Sequence, residues 1–437
     1  MTINEFIYRL GILVHNPHIW KYYRFLKTSA SWNLNQLQDH QLRECKKLLI
    51  WAEQNSPFYK KLFRKADFHP GNFSSFGELA RIPPVTKKDL RQNFLDIQIR
   101  KGFSRMYKTF TSGTTGEPLV FYRDQVWDAA HRAAYFRGLS WFGVLPWHPS
   151  VYVGGYNINP EKRRWIRLLD LLQNRRRLYS FTSAELKDMI PFLKKSLYLE
   201  GYSSMIFGIA GKLREMSLNI PLQLVKGTGD TIFPHYSDLC REIFDCPMVS
   251  EYGAAEAGIM AFECPEGNQH IVMENVIVEV MDNEIIITNL VSRSFPIIRY
   301  RINDTVEPVH TGQCKCGLAH QVIGRITGRL FEYLYGKTET YHAYLLYNII
   351  NKVSVQDHPI RLFQAVQKKK GQVTFLIAEK IPKATKKNIL AEAAKYFGED
   401  MDCFVLDKTS PLGEKGKLNN FIGIEQYRTM SAKGWEL

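Results

Sequence analysis

Between residues 110 and 250, short apolar runs alternate with stretches of helical periodicity, which restricts the chain to few folds. The runs at 150–154, 204–208, 222–226 and 246–250 have the length and composition of strands. Between two of them, Thr182 and Glu185 have the spacing of a capping box that opens a helix. Strands interleaved with helices are typical of layered α/β proteins. We therefore predict an α/β core in this part of the chain.

The segments on either side predict further structure. Residues 1–100 are mostly helical in pattern, and Ser56 followed by Pro57 is a typical helix start. Residues 276–280 and 285–288 form a predicted hairpin that turns at Asp282-Asn283, and 296–301 and 305–309 follow as further strands. After residue 330 come a predicted helix at 341–352, a hairpin turning at Lys370-Gly371, a helix at 385–397 and a strand at 403–406. We predict a large multi-layer domain over 1–326, with a β subdomain at about 262–325, and a small mobile α+β domain over 327–437.

Composition excludes several classes of protein. The chain has 437 residues, 45% of them hydrophobic and 23% charged, so it is neither disordered nor collagen-like. Seven cysteines over this length are not the pattern of a disulfide-stapled fold and favour a reducing cytoplasm, with some thiols available for a metal. No segment approaches 18 uninterrupted apolar residues, and the N-terminus lacks the features of a signal peptide. We expect a cytoplasmic protein without a transmembrane segment.

A string rich in hydroxyl groups and glycine carries the strongest functional signal. It consists of Thr111, Ser112, Gly113, Thr114, Thr115, Gly116, Glu117 and Pro118. Glycines let the backbone approach phosphate oxygens, and exposed N–H and hydroxyl groups then supply hydrogen-bond donors. The Gly-Lys-Ser/Thr ending of a P-loop is missing, so this is a different kind of phosphate loop. A polar surface loop is the simpler explanation, but such a dense string makes it the weaker one.

Four further strings follow it in order. They are Glu251-Tyr252-Gly253-Ala254-Ala255-Glu256, preceded by Gly227-Thr228-Gly229-Asp230; Tyr300-Arg301-Ile302-Asn303-Asp304; Gly324-Arg325; and Gly413-Glu414-Lys415-Gly416-Lys417. A carboxylate such as Glu256 suits Mg²⁺, which takes oxygen ligands beside substrate phosphate. Asp304 can accept hydrogen bonds from two hydroxyl groups at once.

With these five strings the sequence resembles the adenylate-forming superfamily, and within it the phenylacetate–CoA ligase and CapK-type branch. The resemblance covers residues 40 to 425. It implies that Thr111 to Gly116 hold the ATP phosphates, with Thr115 in the catalytic set, and that Glu256 holds Mg²⁺. It also implies that Tyr252 packs on adenine, flanked by Glu251, Gly253 and Ala254, that Asp304 binds the ribose, and that Gly229, Asp230 and Arg325 reach the nucleotide. Lys417 would be the catalytic lysine, with Lys415 as the alternative, because a cation there stabilises charge in the transition state.

The family pattern is altered at several positions. Asp230 replaces a glutamate, and Ile302-Asn303 replaces the usual Thr-Gly before the ribose aspartate. Thr327 and Gly328 stand where the hinge acid between the large and small domains is expected. Glycine still permits the large dihedral change of a hinge.

Two pairs of soft ligands predict a zinc site. Cys264 and His270 lie close in sequence, and Cys314 and Cys316 follow in a glycine-flanked turn, with His320 able to replace one ligand. Four protein ligands leave no open position, so the site would be structural rather than catalytic. Unrelated buried cysteines beside a surface histidine are the alternative.

The charge balance indicates a partner of opposite sign. Fifty-eight Lys or Arg against 43 Asp or Glu leave a net charge of +15, which attracts nucleic acid, an anionic membrane surface, ATP or coenzyme A. Basic residues are frequent at 162–177. They could contact coenzyme A or nucleic acid, but we favour the interpretation that they form a solvated helix face. The aromatic and basic segment 20–27 could touch a membrane, although packing against the domain is the favoured interpretation.

The sequence as a whole predicts ATP-dependent activation of a carboxylic acid to an acyl adenylate. Transfer to a thiol or amine acceptor would follow, with coenzyme A as the default and surface polysaccharide biosynthesis as the setting implied by resemblance. The competing hypothesis is a non-catalytic or repurposed nucleotide-binding protein. We expect no nucleic-acid partner, and both a monomer and a homodimer remain open.

Overall fold

The computed structural model describes residues 2–111, 119–154, 160–179, 183–229, 232–307, 314–329, 333–356, 360, 363–407 and 420–431. Within these residues the chain is a mixed α/β protein with several sheets, as predicted. Two compact units divide the chain: Met1–His148 with Val249–Thr327, and Pro149–Met248 with Gly328–Leu437. The domains predicted at 1–326 and 327–437 stay a prediction.

The described helices and strands alternate along much of the chain. The α-helices are α1 Ile3–His15, α2 His18–Ser29, α3 Leu34–Asn55, α4 Pro57–Lys65, α5 Lys87–Gln92, α6 Phe94–Ile97, α7 Gln125–Ser140, α8 Pro160–Leu172, α9 Ser183–Leu193, α10 Ser203–Glu215, α11 Pro234–Phe244, α12 Tyr344–Gln356, α13 Lys383–Phe397 and α14 Ile424–Ser431. Short 3₁₀ helices lie at Pro70–Asn72, Phe76–Arg81 and Gly398–Asp400. The strands are β1 Met106–Phe110, β2 Val120–Asp124, β3 Ser150–Val153, β4 Arg175–Leu178, β5 Tyr198–Tyr202, β6 Leu224–Thr228, β7 Met248–Ala254, β8 Gly258–Glu263, β9 Gln269–Ile271, β10 Val276–Met281, β11 Glu284–Asn289, β12 Tyr300–Val306, β13 Val322–Ile323, β14 Ile326–Arg329, β15 Tyr333–Tyr335, β16 Thr340–His342, β17 Phe363–Val366, β18 Gln372–Ile377, β19 Asp402–Asp407 and β20 Phe421–Ile422.

The first unit is built from antiparallel sheets covered by helices. Strands β7, β8, β9 and β13 pair in that order, and β10, β11, β12 and β14 form a second sheet. Strands β1 and β2 make a separate hairpin. A buried apolar cluster from α3, α4, β8, β11 and their neighbours fills the centre of this unit. The core therefore lies directly beneath the strands that carry the predicted site residues.

Local signals place several of these elements. Ser56 caps α4 by accepting a hydrogen bond from the Tyr59 N–H, with Pro57 in the first turn, as predicted. The predicted turn of the β10–β11 hairpin is confirmed, because Asp282 and Asn283 have φ angles of 52° and 61°. A two-residue turn with both φ angles positive matches the twist of the flanking strands.

The second unit contains the parallel strands and the C-terminal sheet. Strands β4, β3, β5 and β6 run parallel in that order, and β19, β18, β17 and β20 form the other sheet. The β17–β18 hairpin turns at Gly371, whose φ is 71°, as predicted. The aromatic rings of Phe233 and Tyr347 stack with centroids 3.7 Å apart inside the shared core of this unit.

Two predictions of strands are wrong. Residues 204–208 belong to α10, not to a strand, because β5 ends at Tyr202 and the following apolar run is buried all round as a helix. Periodicity does not separate a buried helix from a buried strand over so short a run. The two strands predicted at 296–301 and 305–309 are replaced by the single strand β12, which begins only at Tyr300.

Candidate functional site

Two predicted site residues from separate strings meet in the first unit. Tyr252 on β7 donates its hydroxyl hydrogen bond to Oδ2 of Asp304 on β12 over 2.8 Å. Both side chains are half-buried. The tyrosine ring therefore lies beside the carboxylate, so one ligand could contact an aromatic face and a hydrogen-bond acceptor together.

A bulge in β12 positions Asp304. The register between β11 and β12 shifts between Glu284 and Ile286, and Asn303 adopts a φ of 64°. This left-handed conformation favours glycine and, among other residues, asparagine. Asn303 can therefore occupy this position of the bulge without the strain that a β-branched residue would meet.

The second pair of site residues is buried. Glu256 is 7% exposed, and its Oε1 accepts a hydrogen bond of 2.7 Å from the Tyr300 hydroxyl. One string thus orients the carboxylate of another across 44 residues of sequence. A carboxylate oriented in this way is the donor type that Mg²⁺ takes in proteins.

Gly253 allows the strand to pass close to its neighbour. A Cβ atom at this position would lie 2.6 Å from the Gly258 carbonyl oxygen. Backbone cannot move aside as a flexible side chain can, so glycine is required for this register between β7 and β8. Glu251 and Ala254 flank it on the same strand and are half-buried.

The predicted phosphate string is described only at its first residue. Thr111 is buried and exchanges two hydrogen bonds of 3.0 Å with Leu119, through its N–H and its side-chain oxygen. These bonds close the base of the β1–β2 hairpin. Residues Ser112, Gly113, Thr114, Thr115 and Gly116 lie outside the described residues, and so do Asp230 and Lys417.

Arg325 and Gly229 are described but are not brought into the pairs above. Arg325 is exposed, and its carbonyl oxygen accepts from the Glu307 N–H over 2.9 Å, just before β14. Gly229 follows β6 in the second unit with a φ of 79°. The roles of both residues stay predictions.

Arg123 is a site neighbour that belongs to none of the sequence strings. It lies on β2, four residues after Leu119, and its guanidinium donates to the Ala255 carbonyl oxygen within the Tyr252–Glu256 string. Burial lowers the pKa of Arg123 to about 10, and its charge lies 5.3 Å from the centre of the Trp127 ring. Arg123 therefore links β2, which follows the hydroxyl- and glycine-rich string Thr111–Pro118, to the string Glu251–Glu256. Its position shortly after Pro118, where that string ends, is the one sequence feature that could have indicated a role for Arg123 in the site.

The four predicted zinc ligands form one cluster. One ligand atom from each of Cys264, His270, Cys314 and Cys316 lies within 4.8 Å of all the others. Two sulfurs bound to one tetrahedral Zn²⁺ at about 2.3 Å would lie about 3.8 Å apart. The Cys264 and Cys314 sulfurs are 3.7 Å apart, and the Cys316 sulfur is 3.2 Å from His270 Nε2. The donor set and its spacing fit zinc.

The surroundings of His270 favour metal binding further. Its Nδ1 lies 3.1 Å from the His320 carbonyl oxygen, a contact that suits an N–H donor and leaves Nε2 for a metal. Burial lowers the pKa of His270, which favours the neutral imidazole that binds a metal. His320, the alternative ligand in the sequence, instead directs its Nε2 to Glu274 over 3.0 Å.

A buried ion pair beside this cluster was not foreseen. Arg137 on α7 and Glu274 are 2% and 0% exposed, and their Nη1 and Oε1 atoms lie 2.6 Å apart. Ser29 also donates to Glu274. Burial alone would raise the pKa of Glu274, but the charges of Arg137 and His320 outweigh it and hold the pKa well below its ordinary value. Residues so far apart in sequence give no local signal of such a pair.

The chain is similar in sequence to two kinds of known protein. No family model matches the chain. Protein CapK of Staphylococcus aureus is 28% identical over 309 residues, which is 65% of this chain and 66% of that protein. The phenylacetate-coenzyme A ligase of Escherichia coli strain K12 is 33% identical over 89 residues, 20% of each chain. The chain thus spans less than two thirds of the length of these relatives.

The structural comparison extends further along the chain. The crystal structure of 2-hydroxyisobutyryl-CoA ligase in the postadenylation state superposes with a TM-score of 0.71 over 92% of this chain and 93% of that one. Sequence identity is 16%, so the similarity establishes the fold.

Proposed function

We propose that the chain is an adenylate-forming enzyme that uses ATP to activate a carboxylic acid and passes the acyl group to an acceptor, which its similarity to protein CapK and its fold support. The carboxylate would attack the α-phosphorus of ATP, which gives an acyl adenylate and releases pyrophosphate. A thiol or amine would then displace AMP. Such catalysis depends mostly on positioning and electrostatics rather than on covalent chemistry of the protein.

One observation carries the proposal: two strings that are far apart in sequence are joined by two side-chain hydrogen bonds. Tyr252 bonds to Asp304, and Glu256 accepts from Tyr300. A random pair of polar turns would not present an aromatic ring, a ribose-type acceptor and a buried carboxylate side by side. These groups can contact adenine, the ribose hydroxyls and Mg²⁺ respectively.

Each described residue then has a defined task. Tyr252 would pack on adenine and Asp304 would accept from the ribose hydroxyls, while their mutual hydrogen bond keeps both in place. Glu256 would hold Mg²⁺, which neutralises phosphate charge when bound. Tyr300 and Arg123 are positioning residues, because they fix the carboxylate and the loop that carries it.

The remaining roles rest on the resemblance alone. The hydroxyl-rich loop, with Thr115, would hold the ATP phosphates, and Gly229, Asp230 and Arg325 would line the nucleotide. Lys417 would stabilise the developing charge. Coenzyme A is the proposed acceptor, and a role in surface polysaccharide assembly in the cytoplasm is proposed from the CapK-type resemblance.

Exchange of labelled pyrophosphate into ATP tests this activity on the full chain. A panel of aryl, fatty, hydroxy and amino acids should include at least one that drives exchange. Glu256→Gln should abolish exchange, and Lys417→Ala should abolish it while ATP still binds. Glu242→Gln, at an exposed glutamate on α11, is the matched control and should exchange as the wild type does.

The result can also refute the proposal. ATP binding without exchange for any acid would favour a repurposed nucleotide-binding protein. Full exchange by Glu256→Gln would show that the carboxylate has no part in the reaction. Consumption of free coenzyme A thiol in the presence of an active acid then separates coenzyme A from other acceptors.

We also propose that the Cys264, His270, Cys314 and Cys316 cluster holds a structural Zn²⁺. The metal would tie the β8–β9 connection and β9 to the segment that leads into β13. Purified protein should contain one zinc per chain, and Cys316→Ser should lose it. Cys403→Ser, at a half-buried cysteine on β19, should retain it. Zinc-free wild type, or a Cys316→Ser variant with full zinc content, would refute the site.

A further inference from the structure

Helix α8 presents its apolar side to solvent. Trp165, Leu168, Leu169 and Leu172 have the spacing i, i+3, i+4 and i+7, which places them on one side of a helix. Their exposed fractions are 71%, 49%, 52% and 43%. In a globular protein such a stripe normally faces the core. Four large apolar side chains in a row on an open surface call for a partner.

The other side of the same helix is held to the protein by charge. Asp170 is 2% exposed and lies 2.6 Å from an Arg175 Nη atom and 2.9 Å from Arg177 Nε. Both arginines belong to β4, the last strand in the order of its sheet. The orientation of α8 is therefore the reverse of that of an ordinary amphipathic helix: its ion-paired side faces the protein and its apolar side faces solvent.

Positive charge borders the apolar stripe. Arg164 and Arg167 are exposed on α8 itself. Asp170 is already shared by the two inward arginines of β4, so it does not neutralise these two. The net charge of +15 adds attraction to any anionic surface.

We propose that α8 is an interfacial helix that docks the protein on a bilayer containing anionic phospholipid. Trp165 and the leucines would enter the boundary between head groups and acyl chains, while the arginines would contact lipid phosphates. This combination of a Trp- and Leu-rich face with bordering cations is the pattern of helices that lie in a membrane interface. A bilayer meets both demands of the surface at once, because it offers apolar depth and negative charge along the length of one helix.

The attachment is peripheral, and it extends beyond the proposed catalytic activity. None of the described helices combines the length and apolarity needed to cross a bilayer. Helix α1, in the other unit, also has an outward stripe, formed by Ile3, Phe6, Leu10, Leu13 and Val14, each more than half exposed. The aromatic segment 20–27, in contrast, packs into its own unit, where the Trp20 ring lies 5.9 Å from that of Phe136.

Flotation of the full-length protein with lipid vesicles tests the proposal. The two vesicle types are phosphatidylcholine alone and phosphatidylcholine mixed with phosphatidylglycerol. Wild type should float with the anionic vesicles and progressively less as NaCl rises. Trp165→Ser and Leu168→Ser should each reduce partitioning about tenfold or more. Leu95→Ser, at an exposed leucine of α6, is the apolar control and should float as the wild type does.

A charge-matched pair of variants separates local from overall charge. Arg164→Gln combined with Arg167→Gln should reduce partitioning about 25-fold, since each basic residue near an anionic surface contributes about fivefold. Lys60→Gln combined with Lys61→Gln removes the same charge from exposed positions on α4 and should change it little. All variants alter exposed side chains, so their melting temperatures should equal that of the wild type.

Three results would overturn the proposal. One is wild type that stays unbound in the presence of anionic vesicles. Another is binding that survives Trp165→Ser and Leu168→Ser. The third is light scattering that shows a wild-type dimer converted to monomer by Leu168→Ser, because the stripe would then be an interface between copies. None of these outcomes affects pyrophosphate exchange, so failure here and failure of the proposed activity are distinguishable.

Discussion

Replacing Glu274 by leucine should destabilise the first unit more than any surface change. The variant leaves the Arg137 guanidinium, 2% exposed, without its carboxylate partner. At 2.6 Å and an effective dielectric constant of about 20, the lost Coulomb attraction is about 6 kcal/mol. Desolvation of the pair offsets part of this. Removal of one partner of a buried pair therefore costs about 3–5 kcal/mol.

Thermal denaturation followed by circular dichroism measures the effect. For a unit of about 150–250 residues, 3–5 kcal/mol lowers the melting temperature by about 6–20 °C. Asp238→Asn is the matched control, because Asp238 and Arg241 form a pair of 2.8 Å with both side chains more than half exposed. Exposed pairs contribute about 0–1 kcal/mol, so the control should melt close to the wild type.

The double variant Arg137→Met/Glu274→Leu distinguishes an unpaired charge from lost packing. Removing both charges leaves no buried guanidinium without a carboxylate, so much of the stability should return, while the part that Glu274 contributes through His320, 3.0 Å away, should stay lost. A double variant as unstable as the two single changes added together would refute this reasoning. A cost below about 1 kcal/mol for Glu274→Leu alone would refute it as well.

The pH dependence of Glu274→Leu follows from the direction of the pKa shift. The folded-state pKa of Glu274 lies below its ordinary value, because Arg137 and His320 outweigh burial. A carboxylate with a lowered pKa contributes stability that is complete above the unfolded-state pKa of about 4.3 and is lost as the pH falls. The stability gap between wild type and Glu274→Leu should be constant above about pH 5 and should narrow below it.

Three further changes test the site. Gly253→Ala should lower the free energy of unfolding by about 1–3 kcal/mol, because the new Cβ would lie 2.6 Å from the Gly258 carbonyl oxygen. It should also weaken ATP binding in equilibrium dialysis. An unchanged melting temperature and an unchanged affinity for ATP would contradict the close approach. Asn303→Val should cost about 1–2 kcal/mol in denaturant unfolding while Asn303→Gly costs nothing, since φ is 64° there; equal stability of the two variants would argue against the bulge. Zinc added to metal-free protein at neutral pH should release protons to an indicator dye, because burial raises the pKa of Cys316 to about 12 and the thiol must ionise to bind the metal. The control variant Cys403→Ser should release as many protons as the wild type. A wild type that releases no protons would exclude thiolate ligation.

The sequence alone can propose a nucleotide site because the parts of that site are local strings. The order of the strings and the residue types in them indicated a nucleotide site, and the cysteine and histidine spacing indicated a metal cluster. The strings do not show which residues form hydrogen bonds to the site residues. Tyr300 lies in the same string as Asp304, but only the fold shows that its hydroxyl donates a hydrogen bond to Glu256. Arg123 belongs to none of the strings, yet its guanidinium donates a hydrogen bond to the Ala255 carbonyl oxygen within the Tyr252–Glu256 string.

The sequence by itself determined the features that depend on neighbours within a few residues. The cap at Ser56, the turn at Asp282-Asn283 and the alternation of strands and helices are of this kind. Only the tertiary structure decided the pairing of Tyr252 with Asp304 and of Arg137 with Glu274, because strand register and packing bring together residues that share no local signal. The same holds for α8: its apolar stripe is visible in the sequence, but only the ion pairs of Asp170 with β4 determine that the stripe faces outward.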